Sequence, residues 1–188
     1  MGGPGGGMAA ETCVVLRRFE ARDADWVIDR HRMIYARDEG FDESFPALVA
    51  EIVAEFLDGH DPARERGWIA ARGPERLGCI FCVGVSEDVA KLRLFLVLPE
   101  ARGTGLGRRL LDRCMSFARE AGYARMQLWT HESHRAACAL YARNGWVMAD
   151  SRPVRSFGVN LVEQSWEIDL QEACIRGRAS LHRAAGPP

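Results

Sequence analysis

The chain has 188 residues, of which 47% are hydrophobic and 27% are charged, and its formal net charge is −1. This size and balance are typical of a soluble globular domain with a sizeable core, and the near-neutral charge argues against nucleic-acid or anionic-membrane partners. No apolar run approaches the roughly 20 residues that cross a bilayer, and the N-terminus lacks the basic and apolar regions of a secretory signal, which predicts a cytoplasmic protein.

The two ends of the chain differ in composition from the middle. Residues 1–10 are rich in glycine and predict a flexible arm. Residues 171–188 carry three arginines and end in Ala-Ala-Gly-Pro-Pro, which predicts either a frayed helix or a disordered tail. Between them, residues 11–170 contain no internal repeat and no linker, so we expect one domain there.

The first third of that domain predicts a strand followed by two helices. Cys13 to Phe19 is apolar and β-branched, as in a strand. Asp23 is a predicted N-cap for a helix that runs to about Asp38. Ser44 to Leu57 has apolar residues at helical spacing. Each of these helical patterns is followed by a glycine, which is typical of a helix end.

A hairpin is predicted next. Trp68 to Ala71 and Leu77 to Val85 flank an Arg-Gly-Pro-Glu turn signal. The second strand contains Cys79 and Cys82, which form a CxxC. Side chains three apart on a strand face opposite sides of a sheet, so the pair is poorly placed as joint metal ligands or as a redox pair. We interpret these cysteines as small buried side chains in a reducing compartment.

Strands and helices alternate through the rest of the domain. Lys91 to Leu98 predicts a strand with its alternating leucines on one face, and Gly105 to Ala121 predicts an amphipathic helix. Ala124 to Trp129 predicts a strand, His134 to Asn144 a helix, and the remainder is strand-rich. The order β-α-α-β-β-β-α-β-α-β-β is that of a mixed α/β layered domain, not of a regular βαβ repeat.

The turn from Arg102 to Gly107 joins a buried strand to a helix and contains three glycines. Glycines let backbone N–H groups approach an anion closely, and the helix N-terminus adds free donors and the positive end of its dipole. Flanking arginines add charge, so the turn predicts a phosphate cradle. It lacks the Gly-Lys-Ser/Thr ending of a Walker loop. A dinucleotide-binding fingerprint would follow the first strand of the domain, whereas this turn follows the fourth. A tight structural connection is the alternative interpretation.

Two motifs resemble those of the GNAT acetyltransferases. The first reads Val97-x-Pro99-x-x-Arg102-Gly103-x-Gly105-x-Gly107-x-x-Leu110 and is similar to the acetyl-CoA-binding motif of that family. The second reads Ala137-x-x-Leu140-Tyr141-x-x-x-Gly145-Trp146 and is similar to its Tyr-x-x-x-Gly-Phe signature. More narrowly, the chain resembles the acetyltransferase half of bacterial fusions to MarR-type regulators, although it contains no helix-turn-helix domain. The resemblance implies the GNAT fold, with a mostly antiparallel mixed sheet of about seven strands and about four helices on both faces.

The resemblance also implies acetyl-CoA as cosubstrate, and no metal. Backbone groups of the strand would bond the pantetheine arm as an added strand does, and amides of the glycine turn would hold the pyrophosphate. The implied cofactor-binding residues are Leu96, Val97, Arg102, Gly103, Thr104, Gly105, Leu106, Gly107, Arg108 and His134. At the position of His134 the family often has an asparagine that contacts the cofactor, and a solvent-facing histidine at a helix start is the alternative.

Five residues are predicted around the reaction itself. Tyr141 would donate a proton to the departing thiolate. Glu39 would hold a cationic amine or act as the base. The implied substrate-binding residues are His31, Tyr35 and Ser156, of which the first two lie four apart on one helical face. Packed aromatic rings and solvated helix ends are the alternatives for these residues.

The sequence therefore predicts an N-acetyltransferase. It would transfer an acetyl group to the amine of a small molecule by direct attack in a ternary complex, with neither nucleic acid nor membrane as partner. A homodimer is compatible with the resemblance. The alternative is a non-catalytic acyl-CoA-binding or sensing module, which the likeness to regulator fusions suggests. The two hypotheses differ in whether the protein turns over an amine.

Overall fold

We describe residues 13–171 of a computed structural model. Its helices and strands are β1 Val15–Arg18, α1 Ala24–Glu39, α2 Ser44–Gly59, β2 Arg66–Arg72, β3 Glu75–Gly84, β4 Val89–Val97, α3 Leu106–Glu120, β5 Arg125–His131, α4 Arg135–Arg143, β6 Val147–Ser156 and β7 Val159–Asp169. The predicted order of elements is confirmed. The predicted N-terminal arm, and all but the first residue of the predicted tail, lie outside the described residues.

The seven strands form one sheet in the order β1-β2-β3-β4-β5-β7-β6. Only the β4–β5 pair is parallel, and every other pair is antiparallel. One buried cluster joins α3 and α4 to one face of the sheet, and a second joins α1 and α2 to the opposite face. This is the predicted mixed, mostly antiparallel sheet with four helices on its two faces.

Local signals account for several element ends. Helix α1 stops at Gly40, which adopts the left-handed conformation with a φ of 72° and donates its N–H to the last turn, as glycine commonly does at a helix C-terminus. Gly73 and Pro74 form the tight turn between β2 and β3. Helix α3 buries the apolar stripe that includes Leu110 and Cys114, which fixes its N-terminus at the end of β4.

The predicted single leucine face of β4 is wrong. Leu92 packs on the α3 side of the sheet, whereas Leu96 packs on the α1–α2 side. Between them Leu94 has a φ of 48°, and the register against β3 shifts at this point. An extra residue in one strand turns the following side chains to the other face of the sheet.

β4 leaves β5 before it reaches this bulge. The two strands pair only where Val89 to Lys91 lie beside Arg125 to Gln127. Within the described residues, the later part of β4 has no strand partner on its β5 side. A cleft therefore opens between the carboxyl ends of two strands, next to the start of α3.

Asp23 occupies the predicted N-cap position of α1, directly before Ala24. Its side chain makes no capping bond to α1 and is fully buried instead. The carboxylate accepts two hydrogen bonds of 2.7 Å from Arg17 and one of 2.7 Å from Arg76. The carboxylate also accepts a 3.0 Å hydrogen bond from the backbone N–H of Glu20, so Asp23 connects the start of α1 to β1 and β3.

The prediction that Cys79 and Cys82 are buried and face opposite sides of the sheet is confirmed. Cys79 lies in the cluster on the α1–α2 side and Cys82 in the cluster on the α3–α4 side, and both thiols are free. In the part of the chain that the structure covers, no three His, Cys, Asp or Glu side chains are arranged to hold a metal ion. A membrane-spanning helix is likewise absent from residues 13–171.

Candidate active site

The glycine-rich turn lies at the carboxyl end of β4, directly before α3. Gly103 and Gly105 have φ values of 76° and 83°, and a Cβ on either would meet no atom within 4 Å. These glycines are therefore needed for their left-handed backbone and not to clear space. Helix α3 begins at Leu106, so the first N–H groups of its opening turn have no partner inside the helix.

Gly107 brings the first turn of α3 close to both walls of the cleft. A Cβ at this position would lie 3.5 Å from Leu140 of α4 and 3.7 Å from both Phe95 and Val97 of β4. The start of α3 thus forms the floor between β4 and α4. The Leu106 side chain is buried in the core, so only its backbone is available to a ligand.

The polar side chains of the turn are partly engaged with the protein. The Nε of Arg102 donates to the Val97 carbonyl at 3.2 Å, on the free edge of β4. The Thr104 hydroxyl donates to the Ala101 carbonyl at 2.7 Å and steadies the turn. Arg108 is exposed, and its Nε lies 3.5 Å from Oδ2 of Asp112. Its guanidinium is therefore loosely held and free to meet an anion beside the helix N-terminus.

Tyr141 projects from α4 into the core beside the cleft. It is 4% exposed, and its ring centroid lies 6.3 Å from that of Phe95 on β4. Burial, and then the neighbouring Tyr35, raise the pKa of Tyr141 well above its ordinary value, so the phenol keeps its proton. Its hydroxyl makes no hydrogen bond to any other described residue, which leaves the proton available to a ligand.

Glu39 and His134 meet on the other side of the cleft. The Nε2 of His134 lies 3.3 Å from Oε1 of Glu39, and the two side chains are only 20% and 19% exposed. The Nδ1 of His134 lies 3.3 Å from the Thr130 hydroxyl. The sequence assigned Glu39 to the acceptor side and His134 to the cofactor side, whereas the structure brings the two side chains together.

His31 and Tyr35 stack on each other, with ring centroids 5.8 Å apart. His31 is 2% exposed, and its Nδ1–H donates to the Val27 carbonyl at 2.8 Å. Burial lowers the pKa of His31 to about 4, so the ring is neutral at physiological pH. His31 therefore lies in the core, while the Tyr35 ring reaches His134 at 5.1 Å.

An aromatic cluster that the sequence interpretation missed lies next to these rings. Phe41 and Phe45 pack on each other and on Phe157 of the β6–β7 turn. The N–H of Asp42 donates to the Phe157 carbonyl at 3.0 Å, so the α1–α2 loop is fixed to that turn. Ser156, predicted to bind substrate, ends β6 beside Phe157. The four-residue spacing of Phe41 and Phe45 was the available signal.

A cavity of about 320 Å³ opens between the α1–α2 loop, the β5–α4 turn and β7. Its size suits a small molecule. Its polar and aromatic lining consists of Glu39, Phe41, Glu132, Ser133, Arg135 and Asn160. Glu39 is thus the predicted site residue on its wall, whereas His31, Tyr35 and Ser156 do not line it.

The chain matches the model of the acetyltransferase (GNAT) family over residues 26–146. It is 38% identical over 107 residues to a mycothiol acetyltransferase from Nocardioides sp., a match over 55% of this chain and 36% of that protein. It is 32% identical over 91 residues to an IAA acetyltransferase from Azospirillum brasilense, over 48% of this chain and 58% of that protein. The chain thus spans less than two thirds of the length of either relative.

Solved structures share the fold over nearly their whole length. A GNAT acetyltransferase from Staphylococcus aureus superposes with a TM-score of 0.69 at 16% identity, over 84% of this chain and 99% of that chain. A spermidine N-acetyltransferase from Vibrio cholerae, in complex with CoA and spermine, superposes with a TM-score of 0.67 at 18% identity, over 86% of this chain and 98% of that chain. YncA from Salmonella typhimurium, with its cofactor acetyl-CoA, superposes with a TM-score of 0.70 at 16% identity, over 84% of this chain and 94% of that chain. The predicted fold is confirmed, and the likeness to regulator fusions stays a prediction.

Proposed function

Since the chain belongs to the GNAT acetyltransferase family, we propose that it is an N-acetyltransferase that moves the acetyl group of acetyl-CoA to the amine of a small molecule. The observation that carries this proposal is the free edge of β4, which runs into a left-handed glycine turn and a helix N-terminus. These groups fit both halves of the ligand, since an edge strand bonds amides and a helix start bonds phosphate.

The cosubstrate would be held mainly by backbone groups. Leu96 and Val97 offer their N–H and C=O groups to the pantetheine arm, and Arg102 exchanges its bond to Val97 for a contact with the ligand. The amides of the turn, with Arg108 beside them, take the pyrophosphate. Acetyl-CoA itself supplies the activated thioester.

Two side chains of the protein would accept and donate the protons of the reaction. Glu39, on the wall of the cavity, takes a proton from the acceptor amine, and the buried Tyr141 phenol supplies one to the departing thiolate. Holding amine and thioester in one cleft makes direct attack effectively unimolecular. No covalent acyl-enzyme is required in this scheme.

The acceptor would be a small amine and not a protein tail. The cavity holds about 320 Å³, and the bond between Asp42 and Phe157 joins the two loops beside it. A cavity bounded by joined loops accommodates a compact molecule better than an extended peptide.

A variant of the glycine turn tests the cofactor site. Gly105→Val places a β-branched residue at a φ of 83°, which the turn accommodates only with strain of about 1–3 kcal/mol or by changing shape. We expect acetyl-CoA to bind about 10-fold more weakly or worse, which corresponds to 1.4 kcal/mol or more. Isothermal titration calorimetry measures this directly.

Gly122→Val is the matched control. Gly122 has a φ of 87° and equally open surroundings, but it follows the far end of α3, so its variant should lose stability without losing affinity for acetyl-CoA.

In the wild type, acetyl-CoA at 100 times its Kd should raise the free energy of unfolding by about 2.7 kcal/mol. Release of free thiol in an amine panel would support the enzyme, and tight binding without turnover would support the sensing module. No binding at all would overturn both.

A further inference from the structure

Three side chains from different elements form a line beside the cavity. Thr130 lies near the end of β5, His134 immediately precedes α4, and Glu39 is the last residue of α1. The His134 imidazole contacts both of the others. Its Nδ1 lies 3.3 Å from the Thr130 hydroxyl, and its Nε2 lies 3.3 Å from the Glu39 carboxylate. Glu39 lines the cavity, whereas His134 stands behind it and does not.

The chemistry of the partners fixes the state of the imidazole. Burial lowers the pKa of His134 below its ordinary value, so at neutral pH the ring is uncharged and carries one N–H. An ionised carboxylate only accepts hydrogen bonds, whereas a hydroxyl can donate one. The proton therefore sits on Nε2, toward Glu39, and Nδ1 accepts from Thr130. Distances of this length are common in ligand-free sites and shorten when the ligand binds.

We propose that His134 is a positioning residue that holds the Glu39 carboxylate toward the acceptor ammonium, with Thr130 fixing its orientation, and that it is not a contact of the cofactor. This inference rests on the proposed function of the same site. It differs from what the family resemblance implies for this position, and the difference can be measured.

Other charged and titratable groups face the pair from each neighbouring element. Asp38 and Tyr35 face it from α1, Arg102 from the glycine turn, and His131 from β5. The negative charge of Asp38 favours a protonated His134, whereas the positive charge of Arg102 opposes it. These neighbours work in opposite directions, so the direct contact with Glu39 is the specific interaction to test.

The protons balance in this scheme. The acceptor arrives as an ammonium, loses one proton to Glu39, and attacks the thioester carbon as a neutral amine. As the C–N bond forms and the C–S bond breaks, Tyr141 gives its proton to the sulfur and recovers one from the acetylated nitrogen. One proton in total leaves through Glu39 to water, and Glu39 returns to the carboxylate. His134 keeps its own proton throughout.

Two measurements test the pairing without any acceptor. In ¹⁵N NMR spectra of the whole chain, His134 should show the Nε2–H tautomer at neutral pH, and Glu39→Gln should shift the titration of His134. The ¹⁵N signals of His60, which follows α2, are the control and should stay in place in this variant. By calorimetry, His134→Leu should bind acetyl-CoA within about 2-fold of the wild type. Any one of three results would overturn the proposal: an Nδ1–H tautomer of His134, a His134 titration that does not change in Glu39→Gln, or a loss of acetyl-CoA affinity of about 10-fold or more in His134→Leu.

Kinetics with an accepted amine separates positioning from packing. We expect His134→Leu to lower kcat by about 10- to 100-fold, because the Glu39 carboxylate loses the donor that orients it. His134→Gln retains a donor at this position and should recover most of the rate. Equal losses in both variants would reduce His134 to a packing residue. His60→Gln is the control for a histidine outside the cleft.

Failure of this inference is distinct from failure of the proposed function. If the wild-type protein does not bind acetyl-CoA, the acetyltransferase proposal is wrong, but the NMR tautomer of His134 still tests its pairing with Glu39. Conversely, an active enzyme in which His134→Leu loses acetyl-CoA affinity retains the proposed function, and His134 then belongs to the cofactor site.

Discussion

Replacing Tyr141 with phenylalanine should lower kcat for acetyl transfer by about 10²–10⁴-fold, the range that a positioned proton donor contributes. The substitution removes only a hydroxyl that makes no hydrogen bond to other described residues, so the fold should be unaffected. Acetyl-CoA affinity should change little, because the backbone holds most of the cofactor. Steady-state thiol release with an amine from the panel, together with calorimetry, measures both quantities.

Tyr123→Phe is the matched control for this change. Tyr123 is also buried, but its hydroxyl donates to the Arg64 carbonyl at 3.1 Å on a loop outside the cleft. Its loss should cost about 1 kcal/mol of stability and no activity. If Tyr141→Phe turns over as fast as the wild type across the pH range, the thiolate takes its proton from elsewhere and Tyr141 is a core aromatic.

The fold was predictable because its signals are local. Apolar periodicity marked most of the helices and strands up to α4, whereas the segment after α4 was predicted only as strand-rich. Gly40 and the Gly73–Pro74 turn marked ends that the structure confirms. The bulge at Leu94 was not predictable, since the leucines of β4 continue to alternate through it. Only the register against β3 reveals that the strand changes face.

The candidate site divides in the same way. The turn from Arg102 to Gly107 is contiguous, so its glycines and the helix start could be identified from spacing alone. Glu39 and His134 lie far apart in the chain, and their contact depends on how α1 and α4 approach the sheet from its two faces. Local pattern carries no information about such a pair, which is why the sequence assigned the two residues to different functions.

Replacing Arg17 with methionine should lower the free energy of unfolding by about 3 kcal/mol at neutral pH. The variant removes the bidentate partner of Asp23, a fully buried carboxylate, and breaking a buried ion pair typically costs about 3–5 kcal/mol. The lower end of this range applies because Arg76 still donates at 2.7 Å. Urea denaturation of wild type and variant measures the difference. Arg22→Met is the control, since its ion pair with Glu20 is exposed and should be worth no more than about 1 kcal/mol.

The pH dependence of that difference identifies its cause. Burial opposes the ionisation of Asp23, but the hydrogen bonds from Arg17 and Arg76 outweigh it and hold the pKa of Asp23 well below its usual range. A carboxyl with a lowered pKa stabilises the fold above the unfolded value of about 3.9, and this contribution is lost as pH falls below it. The gap between wild type and Arg17→Met should therefore be full at pH 7 and narrow as pH falls below about 4. A gap that stays constant into acid would mean that Arg17 stabilises the fold by packing its aliphatic stem and not by pairing with Asp23.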